Sequence, residues 1–321
     1  MNLKTLLCGS LLVLSSTVFA QWKPVKPIEV IVGFAPGSVN ETSFRALAKE
    51  VEQNTGAKFI IINRPGAGGV IGTQELANKP ADGYSLTNVS VPGISAMDKI
   101  SVPENRNYTT DSFVYPTHVA SSPFVVVANP KDTVSNAKEF VDTFKSEKIT
   151  IAASGGARLA YETLYARLGI TGDSIVRVDH KGPVDALVDV AGGNVRFAIV
   201  PSVVAFPLHK DGKVKIVATT SSQLSQLPEV KTLDSVVPGV NVGGVWALML
   251  PANTPKEIVD WYTTEFVKAM KSDSAKTFYR ENLLIERPDL QNPVSMKSWV
   301  KSRETQWQPL VTNILSKINQ K

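Results

Sequence analysis

Between residues 28 and 86 the chain reads IEVIVGFAPGSVNE, then IINRPGAGGVIGTQELA, then ADGYSL. An apolar strand runs through a Pro-Gly turn into a helix start. A second strand ends in a glycine-rich turn, and a third strand follows Asp82-Gly83. Successive strand-to-helix turns on one edge of a sheet leave backbone N–H groups aimed at whatever lies beyond the strand ends. That arrangement suits a small anion and restricts the fold to open α/β sheets.

The alternation continues along the chain. Ser38-Val-Asn-Glu41 is a capping-box pattern, and the helix it opens presents Phe44, Leu47, Ala48 and Val51 on one face and stops at Gly56. Strands are expected at 28–34, 59–62, 84–89 and 124–128, with 92–111 irregular. A second set follows: strands at 149–153, 175–178, 197–200 and 214–218, with helices at 136–144, 157–168 and 183–191. A further strand, 245–250, leads into a helical tail at 255–270, 274–281 and 293–314. Two sets of this kind predict two lobes, each a mostly parallel sheet flanked by helices, with the tail packed back on the first lobe. The chain is expected to cross between lobes near Ser122 and Val245. The bounds are 21–122 plus 248–321 for the first lobe and 123–247 for the second. Ligands in such folds sit beyond the carboxyl ends of the strands, here the cleft between lobes.

The N-terminus reads as a secretory leader. Lys4 supplies the positive charge, Leu6 to Leu14 is almost wholly apolar, and Val18-Phe-Ala20 sets a cut after Ala20. Cys8, the one cysteine of the chain, lies inside it. Leu7 is bulky where a lipoprotein cut needs a small residue, so Cys8 is not read as a lipid anchor. The mature chain then has no thiol, which suits an oxidising periplasm without disulfides. The full chain's net charge of +5, which becomes +4 once Lys4 leaves with the leader, is scattered, with no basic cluster interleaved with aromatics, and nucleic acid is excluded as a partner.

Other chemistries fail on spacing. The glycines at 66, 68, 69 and 72 miss the dinucleotide fingerprint, because Ile71 occupies its last glycine position, and no Lys-Ser/Thr follows for a phosphate loop. No histidine pair stands at helical spacing, so neither a metal nor a cofactor is expected. Ala152-Ala-Ser154-Gly-Gly156 resembles a nucleophile elbow loosely, and Ser154 with His180, oriented by Asp179 or Asp185, is the alternative reading of a secreted esterase. What survives is an electropositive set at strand-to-helix turns of the second lobe: Ser154, Arg158, His180 and Lys181. Arg158 falls in the first turn of its helix, where a cation opposes the dipole unless an anion joins it.

The ordered motifs NRPGAGGVIG, ADGYSL, VDHKGPVDAL, AGGNVRFAIV and LPEVKTL…VPGVNVGGVWALMLPANTPKEIV resemble those of the extracytoplasmic solute receptors of tripartite tricarboxylate transporters, the TctC or Bug family. The resemblance runs from about Pro27 to the C-terminus. It implies a type II periplasmic-binding fold and no enzymatic activity. It also implies a monomer that takes a small organic acid by hinge closure and delivers it to an integral-membrane permease. A receptor that presents the acid to a membrane sensor is the alternative output. The resemblance places first-lobe contacts at Phe34, Pro36, Gly37, Ser38, Asn40, Asn63 and Ser90. Second-lobe contacts fall at Ser154, Gly155, Gly156, Arg158, His180 and Lys181. Departures from the family pattern touch specificity: Gly37-Ser-Val-Asn-Glu41 replaces Gly-Gly-Gly-Thr-Asp, Arg158 stands for His, and His180 stands for Tyr. Val200-Pro201 stands where an Asp usually ends the strand, which argues against a ligand ammonium. Arg158 favours a second carboxylate, and Ser90-Val-Pro-Gly93 suits an apolar or aromatic body.

Overall fold

The computed structural model describes residues 22–318 apart from 103, 105, 154, 171–173 and 181, so the leader and its cut lie outside the described residues. The strands are β1 (Ile28–Val32), β2 (Phe59–Asn63), β3 (Ser85–Ser90), β4 (Phe113–Val114), β5 (His118–Ala128), β6 (Ile149–Ala153), β7 (Ile175–Val178), β8 (Phe197–Pro201), β9 (Lys215–Thr219) and β10 (Gly243–Pro251). The helices are α1 (Val39–Thr55), α2 (Val70–Ala77), α3 (Asp98–Ser101), α4 (Ala137–Ser146), α5 (Gly156–Arg167), α6 (Pro183–Gly192), α7 (Ser202–Lys210), α8 (Lys256–Met270), α9 (Asp273–Glu281) and α10 (Pro293–Ile318).

Strand order is β2-β1-β3-β10-β5-β8-β6-β7, with β4 on β10 and β9 on β5. The outer trios pair in parallel, β1 with β2 and β3, and β6 with β7 and β8. The two long central strands run antiparallel to each other and to the trios. β5 changes partner midway. Ala120 and Ser121 face Trp246 and Val245 of β10, whereas Phe124 faces Pro201 of β8. Pro123 sits at the changeover, where its missing N–H is least costly.

Each trio is covered on both faces. α1 and the tail helices α8 and α9 bury Phe44, Tyr262 and Phe266 against Ile28, Val30 and Val32, and Ile31, Val70 and Leu76 fill the other face. Complete burial of one such Phe contributes about 1.5–3 kcal/mol. Across the molecule, Phe140, Phe144 and Phe197 pack on one face of β6 and β8, and Leu187, Val190 and Val200 on the other. α1 ends where Gly56 takes the left-handed conformation at φ 76°.

Three elements differ from the sequence expectation. The stretch at 92–111 is irregular only in its second part: Gly93–Met97 forms a wide helical turn that runs into α3, and Ile94, Ala96, Met97 and Ile100 are all buried. α7 was not foreseen, because Pro207 lies inside it and a proline argues against a helix interior. α10 does not pack on the first lobe alone. Met296 and Val300 join the first-lobe cluster, and Trp307 and Val311 join the second.

The start of β5 carries a buried titratable group. His118 is fully buried, with Nε2 2.9 Å from Ser121 Oγ. Burial first, and the Arg287 charge second, push its pKa from 6.5 down to about 3. The unfolded chain therefore binds a proton there that the folded protein rejects. The His118 contribution to stability is complete above pH 6.5 and falls as pH drops toward 3. His118→Gln should remove up to roughly 3 kcal/mol of that acid-side loss in denaturation measured from pH 7 to pH 4. An unchanged slope would show that His118 does not carry it.

Candidate functional site

Beyond the carboxyl ends of β1, β3, β6 and β8 lies a cleft with about 460 Å³ of empty space, counting its open mouth. Phe34, Ser38, Val39, Asn40 and Ser90 line one wall, and Gly155, Gly156, Ala157, Pro183, Ile199 and Pro201 line the other. Phe124 and Trp246, from the two crossing strands, form the floor.

Two helix starts face each other across this space. Ser38 is the N-cap of α1 and Gly155 the N-cap of α5, and the first residues of both helices reach the lining. The initial N–H groups of a helix have no intrahelical acceptor and carry the positive end of its dipole. Pro183 opens α6 on the same edge, where a missing N–H costs nothing.

Space is tight where the walls meet. A Cβ on Gly156 would lie 3.1 Å from Ser90 Oγ and 3.2 Å from both Phe124 and Pro92. The glycine-rich turn at 66–72 has a structural role. A Cβ on Gly33 would sit 2.8 Å from Gly69 Cα, and one on Gly72 would sit 2.9 Å from Gly33 Cα. Those glycines let two turns touch backbone to backbone.

The predicted capping box does not form. Ser38 makes no side-chain cap bond, and its buried Oγ has no hydrogen-bond partner among the described residues. Glu41 reaches one residue further back and accepts the Gly37 N–H at 3.2 Å. Burial works against the Glu41 charge, but hydrogen bonds from Arg45 and Asn63 outweigh it and hold its carboxyl below the usual range. The Ser38 hydroxyl is thus left free at the cleft wall.

Asn40 is fixed from two sides. Its Oδ1 accepts the Trp246 indole N–H at 3.1 Å, and its Nδ2 donates to Asn88 O at 2.7 Å. Asn88 returns a bond to Asn40 O at 2.8 Å and donates to Ser43 Oγ at 3.0 Å. This buried network ties the first turn of α1 to β3 and β10, so the N–H groups are aimed before any ligand arrives.

Of the site residues expected from sequence, Phe34, Ser38, Asn40, Ser90, Gly155 and Gly156 line the cleft. Ser154 and Lys181 lie outside the described residues. Pro36, Gly37, Asn63, Arg158 and His180 are not part of the lining. Pro36 and Gly37 are exposed on the turn before α1. Asn63 donates to Phe34 O at 2.9 Å and to Glu41 at 3.2 Å, bracing the loop from behind. Arg158 turns along α5 to Glu162, Nε to Oε1 3.1 Å, with both side chains largely buried. His180 Nε2 stands 2.7 Å from Asp189 on α6, so neither Asp179 nor Asp185 orients it. Val200 packs into the core behind β8, because neighbours on a strand point to opposite faces and Ile199 and Pro201 take the cleft side. Sequence reading missed Phe124 and Trp246, since nothing local distinguishes a floor residue on a crossing strand from an ordinary core aromatic.

A smaller cavity lies behind the first wall, sharing Phe34, Asn40 and Ser90 and including Asn88 and Asp98. Asp98 accepts the Tyr108 hydroxyl at 2.5 Å, and burial raises its pKa from 3.8 to about 6 despite that bond and the Arg106 charge. The folded protein keeps this proton to higher pH than the unfolded chain does. The contribution of Asp98 to stability therefore declines as pH rises through 3.8 to about 6. Asp98→Asn should stabilise the protein at pH 8 by up to roughly 3 kcal/mol and give no gain at pH 3.5. Chemical denaturation at both pH values checks this, and equal effects at both would contradict it.

Comparison with known proteins agrees with this architecture. The model of the tripartite tricarboxylate transporter family receptor matches residues 43–314. Protein BugT of Bordetella pertussis is 29% identical over 266 residues, covering 81% of each chain. The periplasmic binding protein BugD superposes with a TM-score of 0.81 at 25% identity, covering 91% of this chain and 98% of that one. MatC from Rhodopseudomonas palustris, solved with bound malate, gives a TM-score of 0.81 at 24% identity over 90% of this chain and 99% of its own. With its α/β periplasmic-binding fold and a cleft faced by helix starts, the chain belongs to the tripartite tricarboxylate transporter receptors, a family of periplasmic binding proteins and not of enzymes.

Proposed function

We propose that this receptor closes its lobes over a small organic acid and hands it to the integral-membrane permease of a tripartite tricarboxylate transporter. The favoured ligand carries two carboxylates, or one carboxylate on a flat apolar body. The observation that carries this reading is the opposition of the α1 and α5 starts across a cleft with no charged side chain among its described lining residues. Each start offers N–H groups to one carboxylate, and Phe34, Phe124 and Trp246 cover the body between them. Closure replaces water around the acid with fixed donors, which offsets the cost of desolvating it.

No acidic side chain is among the described lining residues, which argues against an amino-acid ligand. The malate seen in the MatC structure supports a dicarboxylate. In this reading lobe 1 comprises 21–122 with 248–321, and lobe 2 comprises 123–247. The leader is cut after Ala20, and the receptor works as a monomer without a cofactor. Ser154 and Lys181 belong to the proposed site, beside the residues already in the wall.

Ser38→Ala tests the site. Because Ser38 makes no cap bond, the unliganded melting temperature should stay within about a degree of the parent, against the ~1 kcal/mol usual for a lost cap. Carboxylate affinity, read from thermal shifts, should fall about three- to tenfold, the worth of one hydrogen bond. A lowered melting temperature with unchanged ligand response would make Ser38 a cap and remove it from the site.

A further inference from the structure

The crossing strands have a second face. On β10, Trp246 points into the cleft and its neighbour Val245 points away; on β5, Phe124 and Pro123 divide in the same manner. Behind the ribbon, Val245 and Pro123 open onto a separate cavity with about 1030 Å³ of empty space, counting its mouth. α10 closes it with Trp299, Arg303 and Trp307, and Arg287 enters from the loop before α10.

The charges there are unbalanced. The Arg287 guanidinium lies 5.7 Å from the centre of the Trp299 ring, and that of Arg303 lies 5.5 Å from it. Arg287 is satisfied by Asp289, at 2.9 and 2.6 Å. Arg303 has no carboxylate partner among the described residues, and its Nε makes one long contact, 3.4 Å, to Ser302 Oγ. Burial and the neighbouring Arg287 both work against its charge. Two guanidiniums stand against one tryptophan, and the Arg303 charge, which has no acid among the described residues, is one that a carboxylate would balance. Ser221 and Ser222 add hydroxyls at the rim, while Ile285 and Trp307 supply apolar surface beside it.

We propose that this cavity behind the crossing strands is a second organic-anion site, distinct from the cleft, which takes a small aromatic carboxylate. The carboxylate pairs with Arg303, and the ring lies against Ile285, Val245 and Trp307. This site does not depend on which acid the cleft binds.

The five tryptophans of the chain give a site-resolved test, because Trp246 reports the cleft and Trp299 and Trp307 report the rear cavity. Benzoate is titrated into the full mature protein labelled with ¹⁵N, and the indole N–H resonances, assigned by Trp→Phe substitution, are followed. The expected result is a saturable shift of Trp299 and Trp307 on an isotherm of its own. Arg303→Gln should weaken that isotherm at least tenfold, leaving the melting temperature and the Trp246 response unchanged. Acetate, which lacks the ring, should bind there at least tenfold more weakly than benzoate. The proposal is overturned if Trp299 and Trp307 do not shift, if they shift only in step with Trp246, if Arg303→Gln binds as the parent does, or if acetate matches benzoate.

Discussion

Gly156→Leu should abolish carboxylate binding, with affinity reduced at least a hundredfold, while the protein still folds. A Cβ at this position already meets Ser90, Phe124 and Pro92 at 3.1–3.2 Å, so the three further carbons of leucine must occupy the cleft itself. They would also cover the first N–H groups of α5, which the ligand needs. The backbone tolerates the change, since Gly156 is the first helical residue and is not among the glycines held at positive φ. Calorimetric titration with a carboxylate and a melting curve together decide the matter. Retained affinity would mean that the acid does not reach the α5 start, and the two-wall account would fail.

Trp246→Ala should cost about 3–5 kcal/mol of stability, the range for deleting a buried Trp, and should also weaken binding. Trp246 is 3% exposed, spans the floor of the cleft, and donates its indole N–H to Asn40. Truncation leaves a cavity and a buried amide oxygen without its donor. Trp246→Phe separates the two effects. It keeps most of the ring and removes only the N–H, so the loss should be about 1–3 kcal/mol. Because Asn40 lies in the first turn of α1, the Phe variant should lower carboxylate affinity even where the fold is fully populated. Urea denaturation of both variants, followed by titration of the Phe variant, measures this. A Phe variant as stable as the parent would show that the Asn40 bond contributes nothing.

The first wall was legible in the sequence because its determinants are local. A strand, a Pro-Gly turn and a Ser-led helix are adjacent in the chain, and the N–H groups they expose follow from backbone geometry alone. The same holds for Gly155 and Gly156 after β6. The parts that were not legible depend on long-range pairing. Trp246 reaches Asn40 across 206 residues, and only the register of β10 against β3 shows which of its side chains face the cleft. Arg158 illustrates the converse. Its place at the start of a helix suggests an anion ligand, and the structure pairs it with Glu162 one turn later, a partner that an i,i+4 reading of the same helix could have exposed. α7 was hidden by Pro207, and the helical turns after β3 were hidden by the prolines and serines around them.

The cleft as described draws its positive character from backbone N–H groups and from no described charged side chain. Binding should therefore depend on the shape and carboxylate spacing of the ligand, and any cationic group on it should be penalised. Malate and aspartate share a four-carbon skeleton and two carboxylates and differ in hydroxyl against ammonium. Calorimetric titration of the mature protein with each is the most direct test. The account predicts saturable binding of malate at one per chain, with aspartate at least tenfold weaker. Aspartate binding as tightly as malate, or neither binding while other dicarboxylates also fail, would contradict it.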